Sequence, residues 1–199
     1  VKIDVRTPDG QRMASKHATL PLGSALRIAP AFTATATADD IGVETTIEAV
    51  YSPDSGRYLI AATAHRTTSE KGEITPTVLR QVRLGELLSA AVPYCVAVDF
   101  EGKQRSVHDL LATGGRVVPE PLAAVAVAAG PTADTLGLVH LIYGVAALAA
   151  LPPMRAVATE LGIPERTATH WISKARSAGL LDGITYAVGR QPDGHNRAE

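Results

Sequence analysis

Between Met154 and Leu181 two runs of apolar residues at helical spacing are separated only by Gly162-Ile163-Pro164, and no other feature constrains the fold as strongly. Val157, Ala158 and Leu161 form the first stripe, and Ala168, Trp171, Ile172 and Ala175 form the second. Residues three and four apart share one face of a helix. The spacing therefore predicts a short helix over Met154–Leu161 and a longer one from Pro164 to about Ala178. Gly162 suits the left-handed position that ends a helix, because it has no Cβ to clash there. Pro164 has a helical φ already and is tolerated at a first helical position. Ala158, four residues before Gly162, is small enough for two helices to cross closely. Val157, Leu161 and Ile163 supply apolar contact about the turn, and Leu180 and Leu181 close the base. An earlier helix runs from a cap at Asp134 or Thr135 to about Ala150 and is stopped by Leu151-Pro152-Pro153.

Upstream the periodicity changes. Ile41, Val43, Thr45, Ile47, Ala49 and Tyr51 alternate with Glu44 and Glu48, the pattern of a strand with one buried face. The turn formers of residues 52–56 and a second strand over Arg57–His65 complete a predicted β-hairpin. An earlier strand pair is expected over Val1–Val5 and Gln11–Thr19, joined at Pro8-Asp9-Gly10, while Ala31–Ala38 reads as a strand or a loose connection. Thr75 and Pro76 open a short helix, Leu84 to Val92 continue at helical spacing until Pro93, and Ser106–Ala112 fits another helix ended by Gly114-Gly115. Residues 114–121 hold two Gly and two Pro and read as a linker. The expected class is α+β: an N-terminal antiparallel sheet with short helices over 1–115, a linker or helical connector over 116–133, an all-helical domain over 134–183, and a tail over 184–199 that is polar from Gly189 onward.

Composition narrows the function. With 199 residues, 46% hydrophobic and only 4% aromatic, the core must be built mainly from Ala, Val, Leu and Ile. The formal net charge is −1, so the chain as a whole exerts no attraction on nucleic acid, and any such contact must come from a local surface. Cys95 is the single cysteine, which excludes an intrachain disulfide and a thiolate metal cage; within the apolar run Val92–Val98 it reads as an inert core thiol. His17, His65, His108, His140, His170 and His195 show no metal-ligand spacing, and His140 on an apolar helix reads as a partly buried packing residue. Gly114-Gly115 lacks the context of a phosphate loop, and Ser24, Ser55 and Ser106 lie in no nucleophile elbow. Asp39-Asp40, Glu44 and Glu48 read as solvated carboxylates. Neither enzyme chemistry nor a cofactor or metal is expected. Val1–Arg12 is too charged for a signal peptide, and Pro121–Ala129 and Leu136–Leu151 are too short or interrupted for membrane spans, so a soluble cytoplasmic protein is the expectation.

A short helix, a Gly-centred turn and a longer helix make the outline of a helix-turn-helix. The segment AVATELGIPERTATHWISKARSAGLL resembles the helix-turn-helix units of bacterial and phage transcriptional regulators over about fifty residues, roughly Asp134 to Leu181. A looser resemblance is to a group of uncharacterised actinobacterial and actinophage helix-turn-helix proteins with a strand-rich N-terminal half, carried by Tyr143, Pro152-Pro153, Arg57-Tyr58 and Val78-Leu79-Arg80. Two positions depart from the pattern. Pro164 stands where Ser or Thr is frequent, which removes a side-chain cap, and Ala168 stands where a branched aliphatic is usual.

The resemblance implies double-stranded DNA as the partner, with the third helix in the major groove. Arg166, Thr167, Thr169, His170 and Ser173 would face outward toward the bases, with Arg166 suited to a bidentate contact with guanine. Lys174, Arg176 and, less directly, Arg155 would meet phosphates. One such unit covers half a site, so a homodimer is expected, with the N-terminal part free for dimer or partner contact. A transcriptional regulator is the first reading. An architectural, recombination or packaging protein of a phage or mobile element is the second, and a protein-interaction module without DNA the third.

Overall fold

Residues 3–23, 25–38, 40–69, 72–100 and 103–186 are described in the computed structural model of the chain. Expectations placed on Val1, Lys2, Ser24, Asp39, His195 and the 187–199 part of the tail lie outside them. Among the described residues the protein is mixed α+β, with two antiparallel sheets and seven helices. The strands are β1 (Ile3–Arg6), β2 (Leu20–Leu22), β3 (Leu26–Ile28), β4 (Ala31–Ala38), β5 (Val43–Ser52), β6 (Arg57–Thr67), β7 (Val96–Phe100) and β8 (Lys103–Ser106). The helices are α1 (Pro76–Leu79), α2 (Leu84–Cys95), α3 (Val107–Gly114), α4 (Glu120–Ala129), α5 (Ala133–Leu148), α6 (Pro153–Leu161) and α7 (Glu165–Ser177).

The alternating residues of the hairpin behave as their spacing requires. Val43, Thr45, Ile47, Ala49 and Tyr51 of β5 are buried and Glu48 is exposed. Tyr51 faces Tyr58 across the ladder, and Tyr58 meets Phe32 edge-on at 5.0 Å, which seals this end of the sheet. A bulge between Glu48 and Ala49 leaves Ala61 as the extra residue of β6.

Three expectations for the N-terminal half need correction. Two sheets form in place of one, in the orders β1-β4-β5-β6 and β2-β3-β7-β8. The three-residue strands β2 and β3 are too short to show periodicity, and they gain order by pairing with each other and with β7. Second, β1 pairs with β4, so Ala31–Ala38 is an interior strand. Ladders on both sides satisfy its backbone, and small side chains such as Ala34, fully buried, fit beneath the neighbouring layer. Gln11–Thr19 forms no strand: the Thr7 N–H donates to the Gln11 carbonyl, Arg12 bridges Arg6, the Met13 N–H donates to the Val5 carbonyl, and a 3-10 turn follows over Ser15–His17. Third, α2 continues through Pro93 to Cys95. The missing N–H removes one helical bond near the end, while Ala91, Val92 and Cys95, all fully buried, hold the last turn in the core.

Helix α5 organises the second half. Its cap is Thr132, whose hydroxyl accepts from the Thr135 N–H, two or three residues before the expected cap. From Val139 to Ala149 every residue is buried, so the helix is covered all round. It packs on α6 and α7 and touches α2, α4 and β6. Gly144 lets it approach β3, since a Cβ there would lie 2.5 Å from Leu26 Cδ1. His140 is fully buried rather than partly so, and a Cβ on Gly23 would lie 2.4 Å from its Cε1. Neither imidazole nitrogen has a hydrogen-bond partner among the described residues, and burial lowers its pKa below the usual 6.5.

The expected connector also carries order. Val117 and Val118 are buried, and their N–H groups donate to the Glu160 carboxylate of α6 at 3.2 Å each. Arg116 donates to the Glu160 backbone carbonyl. A single hydrophobic cluster runs from Val5 to Ile184, and the Tyr51 hydroxyl donates to the Gly183 carbonyl at 3.2 Å, tying the segment after α7 to β5.

Candidate nucleic-acid interface

The turn between α6 and α7 follows from Gly162. Its φ of 64° and ψ of 34° are left-handed, and its N–H and that of Ile163 reach back to the Thr159 and Ala158 carbonyls at 3.3 and 3.0 Å. The last carbonyls of α6 are thus satisfied, and the chain leaves at a sharp angle with Ile163 buried. Pro164 sits at the N-cap, one position before the first helical residue, with φ −59° and ψ 146°. Its carbonyl accepts the first bond of α7, from the Ala168 N–H at 3.0 Å. No side chain caps this end; Glu165 in the first turn and Lys174 and Arg176 in the last complement the helix dipole.

Helix α7 has two unlike faces. Ala168, Trp171, Ile172 and Ala175 are buried against α5 and α6, and the small Ala168, fully buried, lets Trp171 fill the space between the helices. Arg166, Thr169, His170, Ser173 and Lys174 are exposed, and Thr167 is half-buried at the edge. The side chains of Arg166, His170, Ser173 and Lys174 make no hydrogen bond or ion pair with another described residue, and Arg155 on the first turn of α6 is equally unengaged. The helix carries three basic residues against Glu165 alone, a local surplus in a chain whose net charge is −1.

Two of the expected contact residues are already occupied. The Thr169 hydroxyl lies 2.9 Å from the Glu165 carbonyl and 3.0 Å from Met154 Sδ, in the crease between α6 and α7. Arg176 donates to the Tyr143 hydroxyl at 3.2 Å, with its guanidinium carbon 5.9 Å from that ring centroid. Arg176 stays exposed while making this contact with α5. Sequence reasoning did not find this contact, because Tyr143 and Arg176 lie on different helices. It also passed over Met154, 40% exposed, and over Glu160, which fastens residues 116–118 to the end of α6.

Cys95 is fully buried, and burial pushes its thiol well above the ordinary range. Among the described residues no group of His, Cys, Asp and Glu gathers at metal-binding distance, and no helix is long and apolar enough to cross a membrane. The chain matches no protein-family model, no curated protein and no solved structure.

Proposed function

We propose that the chain is a DNA-binding transcriptional regulator that reads duplex DNA through a C-terminal helix-turn-helix, residues 134–183, carried by an N-terminal α+β part. The observation that carries this reading is the outer face of α7, where Arg166, His170, Ser173 and Lys174 stand exposed and unengaged on a helix whose other face is locked into the core. With α7 in the major groove, Arg166 near its N-terminus meets base edges, and Thr167 and His170 lie beside it. Lys174 and Arg155 meet phosphates on either side and set the register without reading sequence. Thr169 and Arg176 are exposed on the same helix, each tied to a neighbouring helix, through Met154 and Tyr143 respectively.

A pool of random duplex DNA, enriched over several rounds of binding to the full chain, tests the reading. An enriched motif whose binding weakens with salt and with Arg166→Ala supports a sequence reader. Salt-sensitive binding without enrichment supports the architectural role in a phage or mobile element, and no binding by folded protein contradicts both. A protein-interaction module is favoured by one observation, the exposure of Leu151 and Met154 at 49% and 40% beside the start of α6. That reading expects no affinity for DNA at any salt concentration.

A further inference from the structure

Helix α2 closes one part of the sheet β1-β4-β5-β6 and leaves another part open. Val5, Ala34 and Ile47 form a row across β1, β4 and β5, and all three are buried. Two residues along each strand, on the same face, the next row is Ile3, Ala36 and Thr45. Here Ile3 and Ala36 are only half-buried, and a cleft of about 610 Å³ separates the row from the start of α2. The facing wall carries Arg83, Glu86, Leu87 and Ala90, three and four apart and so on one side of the helix. Short side chains on both walls, Ala36 and Ala38 on the sheet and Ala90 on the helix, keep the space unfilled. Its volume lies in the range of small-molecule sites, roughly 300–1,000 Å³.

The polar groups of the lining select the ligand. On the sheet wall the Thr45 hydroxyl is already paired with His65 Nδ1 at 3.1 Å. Three charged side chains line the cleft, and two of them, Arg83 and Glu86, form an ion pair at 3.1 Å. The third, Asp40, is exposed and makes no hydrogen bond or ion pair with another described residue. An apolar interior with one spare carboxylate at its edge suits a cation with an apolar body.

We infer that this cleft binds a small hydrophobic amine, whose apolar body lies between Ile3 and Ala36 on the sheet and Leu87 on α2 while its ammonium group meets Asp40. Removal of the apolar body from water supplies most of the affinity. Asp40 adds a preference for a positive head group, a modest one because the carboxylate is exposed. A carboxylic acid of the same shape gains no such contact, since the Arg83 guanidinium is held by Glu86 and Asp40 repels it. No lining residue belongs to α5, α6 or α7, so the cleft and the candidate DNA surface are separate and fail separately.

Fluorescence anisotropy of the full chain, without DNA, tests it with three probes that share one apolar body: pyrenylmethylamine, pyrenylmethanol and pyrenecarboxylate. The amine is expected to bind the wild type about three-fold or more tightly than the alcohol, and the carboxylate more weakly than either. Added salt should narrow these differences. Asp40→Asn should bring the amine to the affinity of the alcohol and leave the alcohol unchanged. Ala36→Leu and Ala90→Leu fill the cleft from opposite walls and should weaken amine and alcohol alike, by at least about ten-fold. Circular dichroism keeps loss of fold separate from loss of binding, and Ala90, exposed on α2, tolerates the larger side chain even if Ala36→Leu does not fold. Failure of every probe to bind, an amine no tighter than the alcohol, an Asp40→Asn variant that still prefers the amine, or filled variants that bind like the wild type would each overturn the inference.

Discussion

Helices α5 and α7 pack against each other and use their residues in opposite ways. In α5 the ten positions from Val139 to Leu148 are all buried, His140 among them, and the helix packs on α2, α4, α6, α7 and β6. In α7 only Ala168, Trp171, Ile172 and Ala175 are buried. The remaining residues are all polar or charged, and Glu165 is the one acid among them. The contrast assigns tasks: α5 is a beam shared by the sheets and the helical layer, and α7 is a surface held in place by one stripe. A stripe of four residues suffices to fix α7 because α5 is itself immobilised from behind through Gly144 and Leu26.

Substitutions sharpen this contrast, beginning with the largest effect. Leu141→Ala in α5 and Trp171→Ala on the inner stripe of α7 each remove a large buried side chain and should cost about 2–5 kcal/mol, read by urea denaturation. Ser173→Ala and Lys174→Ala on the outer face should stay within about 0.5 kcal/mol. Equal losses on both faces of α7 would break the comparison.

His140 gives the next effect. Its pKa is lowered in the folded protein by burial, so the unfolded chain takes up a proton that the folded chain refuses. Stability from this group is therefore full above the usual 6.5 and is lost as pH falls below it. Thermal midpoints should drop from pH 7 to pH 5 in the wild type and drop less in His140→Leu, once both are compared with their own values at pH 8. An identical pH dependence in the two proteins would show that His140 protonates freely while folded.

The helix ends provide the smallest effects and a matched pair. All three of these helices close with the same two backward hydrogen bonds, from Ala150 and Leu151, from Gly162 and Ile163, and from Gly179 and Leu180. The left-handed position is glycine in α6 and α7, but Ala150, at a φ of 55°, fills it in α5. Ala150→Gly should gain about 1 kcal/mol and Gly162→Ala should lose about as much, because nothing lies within 4 Å of a Cβ added at Gly162 and the cost is that of the backbone alone.

How much of this was legible in the chain depends on the range of the interactions. The turn at Gly162 and the inner stripe of α7 are local, set by residues within one or two helical turns, and they stand where the spacing placed them. The buried face of β5 is legible for the same reason, as a period of two over a long strand. The division into two sheets was not, because β3 pairs with β7, some seventy residues away, and β2 is held only through β3. The all-round burial of α5 leaves no periodicity to read, so its central place is visible only once neighbours surround it. At the candidate interface the exposed set on α7 followed from helical geometry. The capture of Arg176 by Tyr143 and of Thr169 by Met154 joins different helices, and no spacing along the chain reports it.

The central claim is that the outer face of α7 reads duplex DNA, and fluorescence anisotropy on two labelled duplexes tests it most directly. One duplex carries the enriched motif, the other its scramble, each titrated at several salt concentrations with wild type, Arg166→Ala and Lys174→Ala. The prediction is that Arg166→Ala loses about 1–3 kcal/mol on the motif and little on the scramble. Lys174→Ala should weaken both alike and lower the salt slope by about one. Wild-type protein that binds neither duplex, or two variants that leave both affinities unchanged, would contradict the claim.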